Sequence, residues 1–385
     1  KLAILIVVMG FGASTFAQSS PKEKTLFERV SNVEKKIDWF NFYLNMQGSF
    51  DASFNYDRNG LSEAAFKMRQ FRIEAKGNIT PWLSYRWRQR LNRGNNGSGT
   101  IDNMPTSIDI AGIGVKLNDQ FSFFAGKQCA AYGGIEFDLN PIEIYEYSDM
   151  IENMSNFMTG LNIAYQVDDN HQIQFQILDS RNNSFEDTYG KNLEDGRAPL
   201  LYTINWNGSL FDGFYKTRWS ASIMSEAKDK QMYYYALGND FTFSKKVNAF
   251  VDFMYSDEDI DRKGIMTGIV GLEDEHNAFN AKYMSLVAKV NYRFLPKWNV
   301  FMKGMYETAS IFKATENVEK GKYRTSYGYL AGVEFYPMES NLHFFCTFVG
   351  RSYNFTDRAK VLGKNNYNTQ RVEVGFIYQD RKSVV

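Results

Sequence analysis

The residues from Trp39 to Tyr56 alternate between apolar and polar side chains almost without exception. The even-numbered positions carry the mainly apolar set: Phe40, Phe42, Leu44, Met46, Gly48, Phe50, Ala52, Phe54 and Tyr56. The odd-numbered positions are mainly Asn, Gln, Ser and Asp. Because successive side chains of a strand point to opposite faces, this period of two predicts a β-strand with one apolar and one polar face.

The same alternation recurs along the chain, for example where Ile173, Phe175 and Ile177 alternate with glutamines. It predicts sixteen strands: 40–56, 65–79, 82–91, 106–117, 120–127, 158–167, 171–178, 199–208, 214–226, 231–243, 247–255, 281–294, 298–309, 324–336, 341–353 and 369–379. The chain is therefore predicted to be all-β.

The connections between these strands alternate between tight turns and long polar loops. The long ones are predicted at 92–105, 128–157, 179–198, 256–280, 310–323 and 354–368, while 57–64 and 227–230 are short although they belong to the long series. A soluble sandwich has no reason to sort its connections in this way, whereas an outer-membrane barrel does. In a bilayer an apolar-out sheet must close on itself to pair its backbone groups. We therefore expect a 16-stranded antiparallel transmembrane β-barrel with short periplasmic turns and long extracellular loops.

Aromatic residues lie near both predicted ends of the strands. Tyr165, Trp206, Tyr215 and Tyr292 lie beside tight turns, and Tyr56, Tyr255, Tyr306 and Tyr327 lie near long loops. Aromatic side chains collect at the two membrane interfaces of such barrels. Sixteen strands also enclose a space too wide for side chains alone to fill, so we expect an aqueous channel lined by the polar faces.

The N-terminal residues predict export from the cytoplasm. Lys1 precedes an apolar run, Leu2 to Phe11, and Thr15-Phe16-Ala17 gives the small-x-small pattern of a cleavage site. We expect a signal peptide at 1–17, a periplasmic segment at 18–38 and the barrel at 39–385. Within 18–38, the spacing of Leu26, Val30, Val33 and Ile37 predicts a short amphipathic helix. This helix would pair between copies in a trimer, plug its own barrel or serve as a structural arm.

Composition narrows the classes of function. The 44 basic and 44 acidic side chains give no net charge, which argues against a nucleic-acid-binding protein held by bulk charge. The two cysteines, Cys129 and Cys346, are expected to be unpaired. The three histidines form no evident catalytic or metal-ligand grouping, so we expect no enzyme, cofactor or metal site, with a barrel hydrolase as the open alternative. The acids Asp257, Glu258, Asp259 and Asp261 could bind calcium, but a solvated acidic loop is the preferred interpretation.

Basic residues are concentrated on the predicted inner face of the second and third strands. Arg86, Arg88 and Arg90 occupy successive same-face positions, and Arg72, Glu74 and Lys76 face the same side from the preceding strand. One register places Arg72 opposite Arg88, and a two-residue shift places Arg72 opposite Arg90. Either register puts two arginines side by side, which costs stability. We interpret these residues as a basic track on the pore wall, and an ordinary solvated wall is the alternative.

The third long loop, residues 128–157, is acidic and contains no Lys or Arg. Its acids are Glu136, Asp138, Glu143, Glu146, Asp149 and Glu152. A loop of this length usually has a function. Folded into the lumen, the loop would narrow the pore and set its acids opposite the arginines, creating a transverse field that favours small polar solutes. An acidic extracellular flap is the alternative.

Several short segments carry a family resemblance. The stretch Phe71-Arg72-Ile73-Glu74-Ala75-Lys76-Gly77-Asn78-Ile79, the arginine strand after it, Gly126-Lys127-Gln128 and Tyr132-Gly133-Gly134 together resemble the phosphate-selective porin O and P family. The resemblance implies a homotrimeric porin of the Gram-negative outer membrane, surrounded by lipid, whose third loop constricts the channel. It also implies an anion ladder, to which we match Arg72, Arg86, Arg88 and Arg90. The purely acidic loop departs from the cations expected at a phosphate-selecting constriction.

Together these features predict a porin for passive diffusion of small hydrophilic solutes, with anions such as phosphate as one class. The alternative is a plugged barrel with an adhesion or structural role.

Overall fold

The computed structural model describes residues 39–55, 60–93, 102, 104–181, 183–337 and 342–379. The predicted signal peptide and amphipathic helix, at 1–38, lie outside the described residues. Within the described part of the chain, no helix combines the length and apolar character that a membrane crossing requires.

Sixteen strands form a closed antiparallel barrel in which each strand pairs with its sequence neighbours and β1 pairs with β16. The strands are β1 (Asn41–Asn55), β2 (Gly60–Thr80), β3 (Leu83–Arg90), β4 (Ile108–Lys116), β5 (Phe121–Cys129), β6 (Phe157–Asp168), β7 (His171–Asp179), β8 (Leu200–Leu210), β9 (Tyr215–Ala227), β10 (Lys230–Thr242), β11 (Val247–Ile260), β12 (Phe279–Leu295), β13 (Trp298–Ile311), β14 (Gly321–Phe335), β15 (Leu342–Phe355) and β16 (Tyr367–Gln379). The prediction of a closed 16-stranded antiparallel barrel is confirmed.

Two strands are clearly longer than the sequence pattern predicted. β2 begins at Gly60 rather than at 65, and β11 continues to Ile260 rather than ending at 255. The alternation in fact continues through β11, because Ser256, Glu258 and Ile260 are buried on the same face as Met254. The charged residues of this segment concealed the alternation and led to the prediction of a loop.

The two ends of the barrel differ in their connections. One end, called here the turn end, has the connections 81–82, 117–120, 169–170, 211–214, 243–246, 296–297 and 336–341. The other, called the loop end, has the connections 56–59, 91–107, 130–156, 180–199, 228–229, 261–278, 312–320 and 356–366. Short helical segments lie in the loop-end connections, at Ile135–Asp138, Pro141–Glu143 (3-10), Asp149–Glu152, Phe185–Tyr189, Ile265–Val270 and Asp357–Val361.

The outer surface of the barrel is apolar. Phe66 and Met302 are 88% and 69% exposed, and Phe42, Ile204, Leu286 and Val374 are also exposed. Aromatic pairs at the turn end are Phe121 with Tyr165, Tyr215 with Phe241, and Trp298 with Phe335. Pairs towards the loop end are Tyr235 with Tyr255 and Tyr306 with Tyr327. A large exposed apolar band between two aromatic zones is the surface that a bilayer covers. Tyr56 lies outside the described residues.

The inner surface is not uniformly polar, which corrects one expectation. The inner faces of β10 to β15 carry buried apolar side chains, among them Tyr234, Met254, Tyr283, Val287, Phe301, Met305, Leu330, Phe345 and Val349. They pack against Tyr132, Ile142, Tyr145 and Met150 of the connection 130–156. This part of the barrel is therefore filled by a protein core rather than by solvent.

Candidate functional site

The connection 130–156, called here the inner loop, runs along the inside of the barrel wall. It leaves β5, and Gly134 N donates to Arg218 O on β9 at 2.9 Å. The next two backbone amides, those of Ile135 and Glu136, donate to the Asp252 carboxylate on β11 at 2.8 and 2.7 Å. Gly238 on β10 permits this close approach, because a Cβ atom there would lie 2.7 Å from Gly134 Cα. The predicted folding of this loop into the lumen therefore has a specific structural basis in these contacts.

Apolar packing holds the middle of the inner loop against the far wall. The Tyr145 ring stacks on Phe301 at 5.1 Å between centroids, and it packs against Phe345 at 4.8 Å. Ile142 and Met150 are almost completely buried beside them. Buried side chains of this size each contribute on the order of 1.5–3 kcal/mol, so the loop is a packed element rather than a mobile flap.

Four of the six acids of the inner loop form ion pairs with basic residues of the wall that the loop covers. Glu136 pairs with Lys303, and Asp138 pairs with Arg218 at 2.9 Å. Glu146 lies 2.8 Å from Arg371. Asp149 pairs with Arg351 and, at 2.5 Å, with Arg324. These partners lie on β9 and on β13 to β16. From the sequence we expected these acids to face the arginines of β2 and β3. They pair elsewhere because the inward basic residues of the wall that the loop covers are in direct contact with them.

The remaining two acids behave differently. Glu143 is half-buried at the end of the turn Pro141–Glu143. Glu152 is exposed, and among the described residues it forms no salt bridge. Partial desolvation and the nearby carboxylate of Glu146 raise the pKa of Glu152 above its ordinary value. Glu152 is therefore the loop acid whose charge remains unpaired.

The predicted basic track lies on the inner faces of β2, β3 and β4, called here the arginine wall. Its register pairs Arg72 with Arg90, Glu74 with Arg88 and Lys76 with Arg86, which is the second of the two predicted registers. Arg86 donates to Glu74, with an Nη2 to Oε2 distance of 3.2 Å. The structure thus brings all four predicted arginines onto one side of the lumen.

One carboxylate that the sequence analysis missed organises this wall. Asp109 on β4 is completely buried, and its oxygens lie 2.9 Å from Arg90 Nε, 3.5 Å from Arg88 Nε and 3.7 Å from Arg72 Nε. The Arg72 Nη1 atom is buried and forms no hydrogen bond with the described residues. The guanidinium groups of Arg88 and Arg90 also lie over the Phe157 ring. Three guanidinium groups therefore share a single carboxylate and keep an excess of positive charge.

The charge balance differs between the two sides of the lumen. The arginine wall contains the basic residues Arg72, Lys76, Arg86, Arg88 and Arg90 and the acids Glu74 and Asp109. On the opposite side, the basic residues are matched by the loop acids and by Glu307 and Glu373. Strict alternation from the outward-facing Ile113 would put Asp109 on the outer face, but a register shift between β3 and β4 beside it turns Asp109 inward. Alternation alone therefore gives no signal for this carboxylate.

Two of the acids suggested as calcium ligands have structural partners of their own. Within the described residues, no group of His, Cys, Asp and Glu side chains could hold a metal ion. The suggested calcium ligands do not converge: Glu258 pairs with Lys263, while Asp261 accepts from Tyr283 Oη and Thr267 N. Neither Cys129 nor Cys346 forms a disulfide bond within the described part of the chain.

A closed 16-stranded barrel with an apolar exterior, charged and polar side chains on part of its inner face and an inner loop defines an outer-membrane porin channel. The chain belongs to the phosphate-selective porin O and P family, because residues 40–379 match the sequence model of that family. No curated protein gives a significant match.

Solved structures of similar fold include three channels or porins. The outer-membrane channel DcaP of Acinetobacter baumannii is 10% identical, with a TM-score of 0.61 over 91% of this chain and 99% of that chain. OmpF of Salmonella typhi, in complex with daunomycin, is 15% identical, with a TM-score of 0.59 over 88% and 97%. The anion-selective porin from Comamonas acidovorans is 8% identical, with a TM-score of 0.56 over 88% and 99%. At these identities the likeness concerns the fold alone.

Proposed function

We propose that the protein mediates passive diffusion of small hydrophilic solutes across the outer membrane of a Gram-negative bacterium, and that its channel prefers anions. Export by cleavage of residues 1–17, with the turn end in the periplasm and the loop end outside, is part of this proposal. So is assembly as a homotrimer, which the family resemblance implies.

The excess positive charge of the arginine wall carries the proposal of anion preference. On the sequence alone, the acids of the inner loop argued against anion preference, because the negative field of an acidic constriction repels anions. Their ion pairs with Lys303, Arg218, Arg351 and Arg371 largely neutralise that field. The arginine wall retains its charge because Asp109 and Glu74 are outnumbered there. A permeating anion is therefore attracted towards β2 to β4.

The four arginines of this wall are proposed to set the anion preference, and the unpaired negative charge of Glu152 is proposed to reduce it. Arg72, Arg88 and Arg90 supply attraction, and Arg86 contributes less because Glu74 neutralises it. Phosphate belongs to the class of anions that this wall accommodates, since guanidinium groups bind phosphate oxygens in bidentate geometry. Chloride and organic acids belong to the same class.

The test is the reversal potential of purified protein in planar bilayers under a KCl gradient. We expect a potential of the sign that indicates preferred chloride permeation. The double variant Arg88→Gln/Arg90→Gln should reduce the chloride-to-potassium permeability ratio by roughly threefold or more, because the local field weakens. The control is Lys282→Gln, which removes a positive charge from the outward face of β12 and should leave the ratio unchanged. Cation preference in the unmodified protein would refute the proposal of anion selectivity.

A second candidate is a plugged barrel with an adhesion or structural role. The apolar packing of the inner loop along β10 to β15 favours it, because that part of the lumen is filled. Correct insertion without any conductance would establish this alternative and exclude the channel.

A further inference from the structure

A row of polar residues crosses the outer surface of the barrel near the loop end of β11 to β14. The strand registers place four residues opposite one another, in the order Asp257, Lys282, Ser310 and Lys322. Residues paired in this way share one face of the sheet, and Lys282 shares its face with the exposed Leu286 of the apolar band. These four residues, called here the lysine row, therefore face the surrounding membrane.

The lysine row lies just beyond the aromatic zone towards the loop end. Tyr255 precedes Asp257 by two residues, and Tyr306 precedes Ser310 by four residues. At a rise of about 3.4 Å per residue, the row is about 7 to 14 Å further along the strands than these rings. Aromatic belts mark the membrane–water interface, so the lysine row lies at the height of the lipid headgroups.

The two lysines of the row keep positive charge on this surface. Lys322 is exposed, and it forms no ion pair with the described residues. The Lys282 ammonium lies 3.6 Å from Asp257 Oδ1 and over the rings of Tyr255 and Phe312. Its aliphatic stem thus follows an aromatic surface, and its charged head reaches towards water. Asp257 lies on the side of Lys282 away from Lys322, so the space between the two lysines holds no row acid.

The connection between β13 and β14 adds further positive charge beside the row. Lys313 and Lys320 are both exposed near the two ends of this connection. Glu319 is neutralised by Arg358, with 3.1 Å between Oε2 and Nε. Glu316 is the remaining acid of the connection. The surroundings of the lysine row therefore carry more positive than negative charge, which attracts anions.

We propose that the lysine row binds the phosphate group of a phosphorylated lipid in the outer leaflet of the membrane. Lys282 and Lys322 are two strand spacings apart, about 10 Å between Cα atoms, and their flexible stems can converge on one phosphate. The Ser310 hydroxyl between them supplies a further donor. Basic residues beside the hydrocarbon layer attract anionic lipid headgroups in this way.

This site lies outside the barrel, so it goes beyond the proposed diffusion function and is separate from the arginine wall. Its assignment to the outer leaflet follows from the proposed orientation, with the loop end outside. The apolar band beside the row would contact the acyl chains of the same lipid.

The test measures binding of bisphosphorylated lipid A to the purified protein in detergent by native mass spectrometry. Lipid A should bind more tightly than the same lipid without its phosphates. The variant Lys282→Gln/Lys322→Gln should weaken lipid A binding by roughly tenfold or more, because each lysine near the headgroup contributes to the attraction. Inorganic phosphate at the same concentration should not displace lipid A, because it lacks the acyl chains that add to the affinity.

The matched control is Lys246→Gln/Lys297→Gln, which removes two exposed lysines from connections at the turn end and should retain lipid A binding. The KCl conductance of each variant should equal that of the unmodified protein, which reports correct folding. If Lys282→Gln/Lys322→Gln does not insert, the single variant Lys322→Gln replaces it and should show a smaller loss.

Equal binding of lipid A and its dephosphorylated form overturns this inference, and so does equal binding to Lys282→Gln/Lys322→Gln. Displacement by inorganic phosphate at the same concentration overturns the lipid as the ligand. These outcomes leave the diffusion function standing if the protein conducts ions normally. A protein that binds lipid A through the two lysines but conducts no ions overturns the diffusion function alone.

Discussion

Asp109 explains how three arginines coexist on adjacent strands. Cross-strand pairing of like charges is destabilising, and the register places Arg72 directly opposite Arg90. The buried Asp109 carboxylate lies within 3.7 Å of all three Nε atoms, so it offsets part of that repulsion. The sequence shows which arginines share a face, but it does not show that a carboxylate from the next strand lies beneath them.

Glu152 provides a prediction about pH at the scale of a single residue. Its pKa is raised, so on acidification it becomes neutral at a higher pH than an ordinary exposed glutamate. Loss of its negative charge removes a repulsive group from the anion path. We therefore expect chloride selectivity to increase as the pH falls through the pKa of Glu152, measured by reversal potentials between about pH 7 and pH 4.

The variant Glu152→Gln should show the higher selectivity already at neutral pH and should lose this acid-induced increase. Glu316→Gln, which changes an exposed glutamate of the connection 312–320, is the control and should titrate like the unmodified protein. An unchanged pH profile in Glu152→Gln would show that Glu152 does not contribute to selectivity.

At the scale of elements, the strands were predictable because the pattern that defines them is local. Period-two alternation predicted all sixteen strands, and the observed register, with Arg72 opposite Arg90, was one of the two predicted for β2 and β3. The docking of the inner loop was not predictable in the same way. Its contacts, such as Glu136 N with Asp252 and Tyr145 with Phe301, join residues far apart in sequence. No local pattern encodes which inward cation a given loop acid will meet.

The ion pair of Glu136 with Lys303 allows a direct test of inner-loop anchoring. Both side chains are buried. Lys303→Met would leave a buried carboxylate without its cation, at a cost of about 3–5 kcal/mol. We expect the first half of the loop to detach, which should raise single-channel conductance and current noise in planar bilayers.

The double variant Lys303→Met/Glu136→Gln removes both charges, so it should restore conductance and noise towards the original values. Lys282→Met, on the outward face of β12, is the control for the loss of a lysine and should have no effect. A quiet, unchanged channel in Lys303→Met would mean that apolar packing alone holds the loop.

At the scale of the whole molecule, the outer band and the closed sheet suit a membrane-embedded oligomer. If three barrels assemble, as we propose, each retains its own lumen. Planar-bilayer recordings at high voltage should then show closure in three equal steps. Closing steps that do not occur in groups of three would indicate independent monomers. Chemical cross-linking in detergent checks the number of copies independently.

The turn Pro141–Glu143 of the inner loop packs across both β1 and β16, and Arg371 on β16 donates to the Tyr145 carbonyl at 2.7 Å. The first and last strands are therefore joined twice: by the hydrogen bonds between their backbones and by an internal clasp, which is the inner loop that follows β5. Because the clasp needs both strands in place, the channel can reach its final bore only once the cylinder is sealed. Biogenesis and permeability are thereby coupled: a half-assembled intermediate would lack the finished constriction.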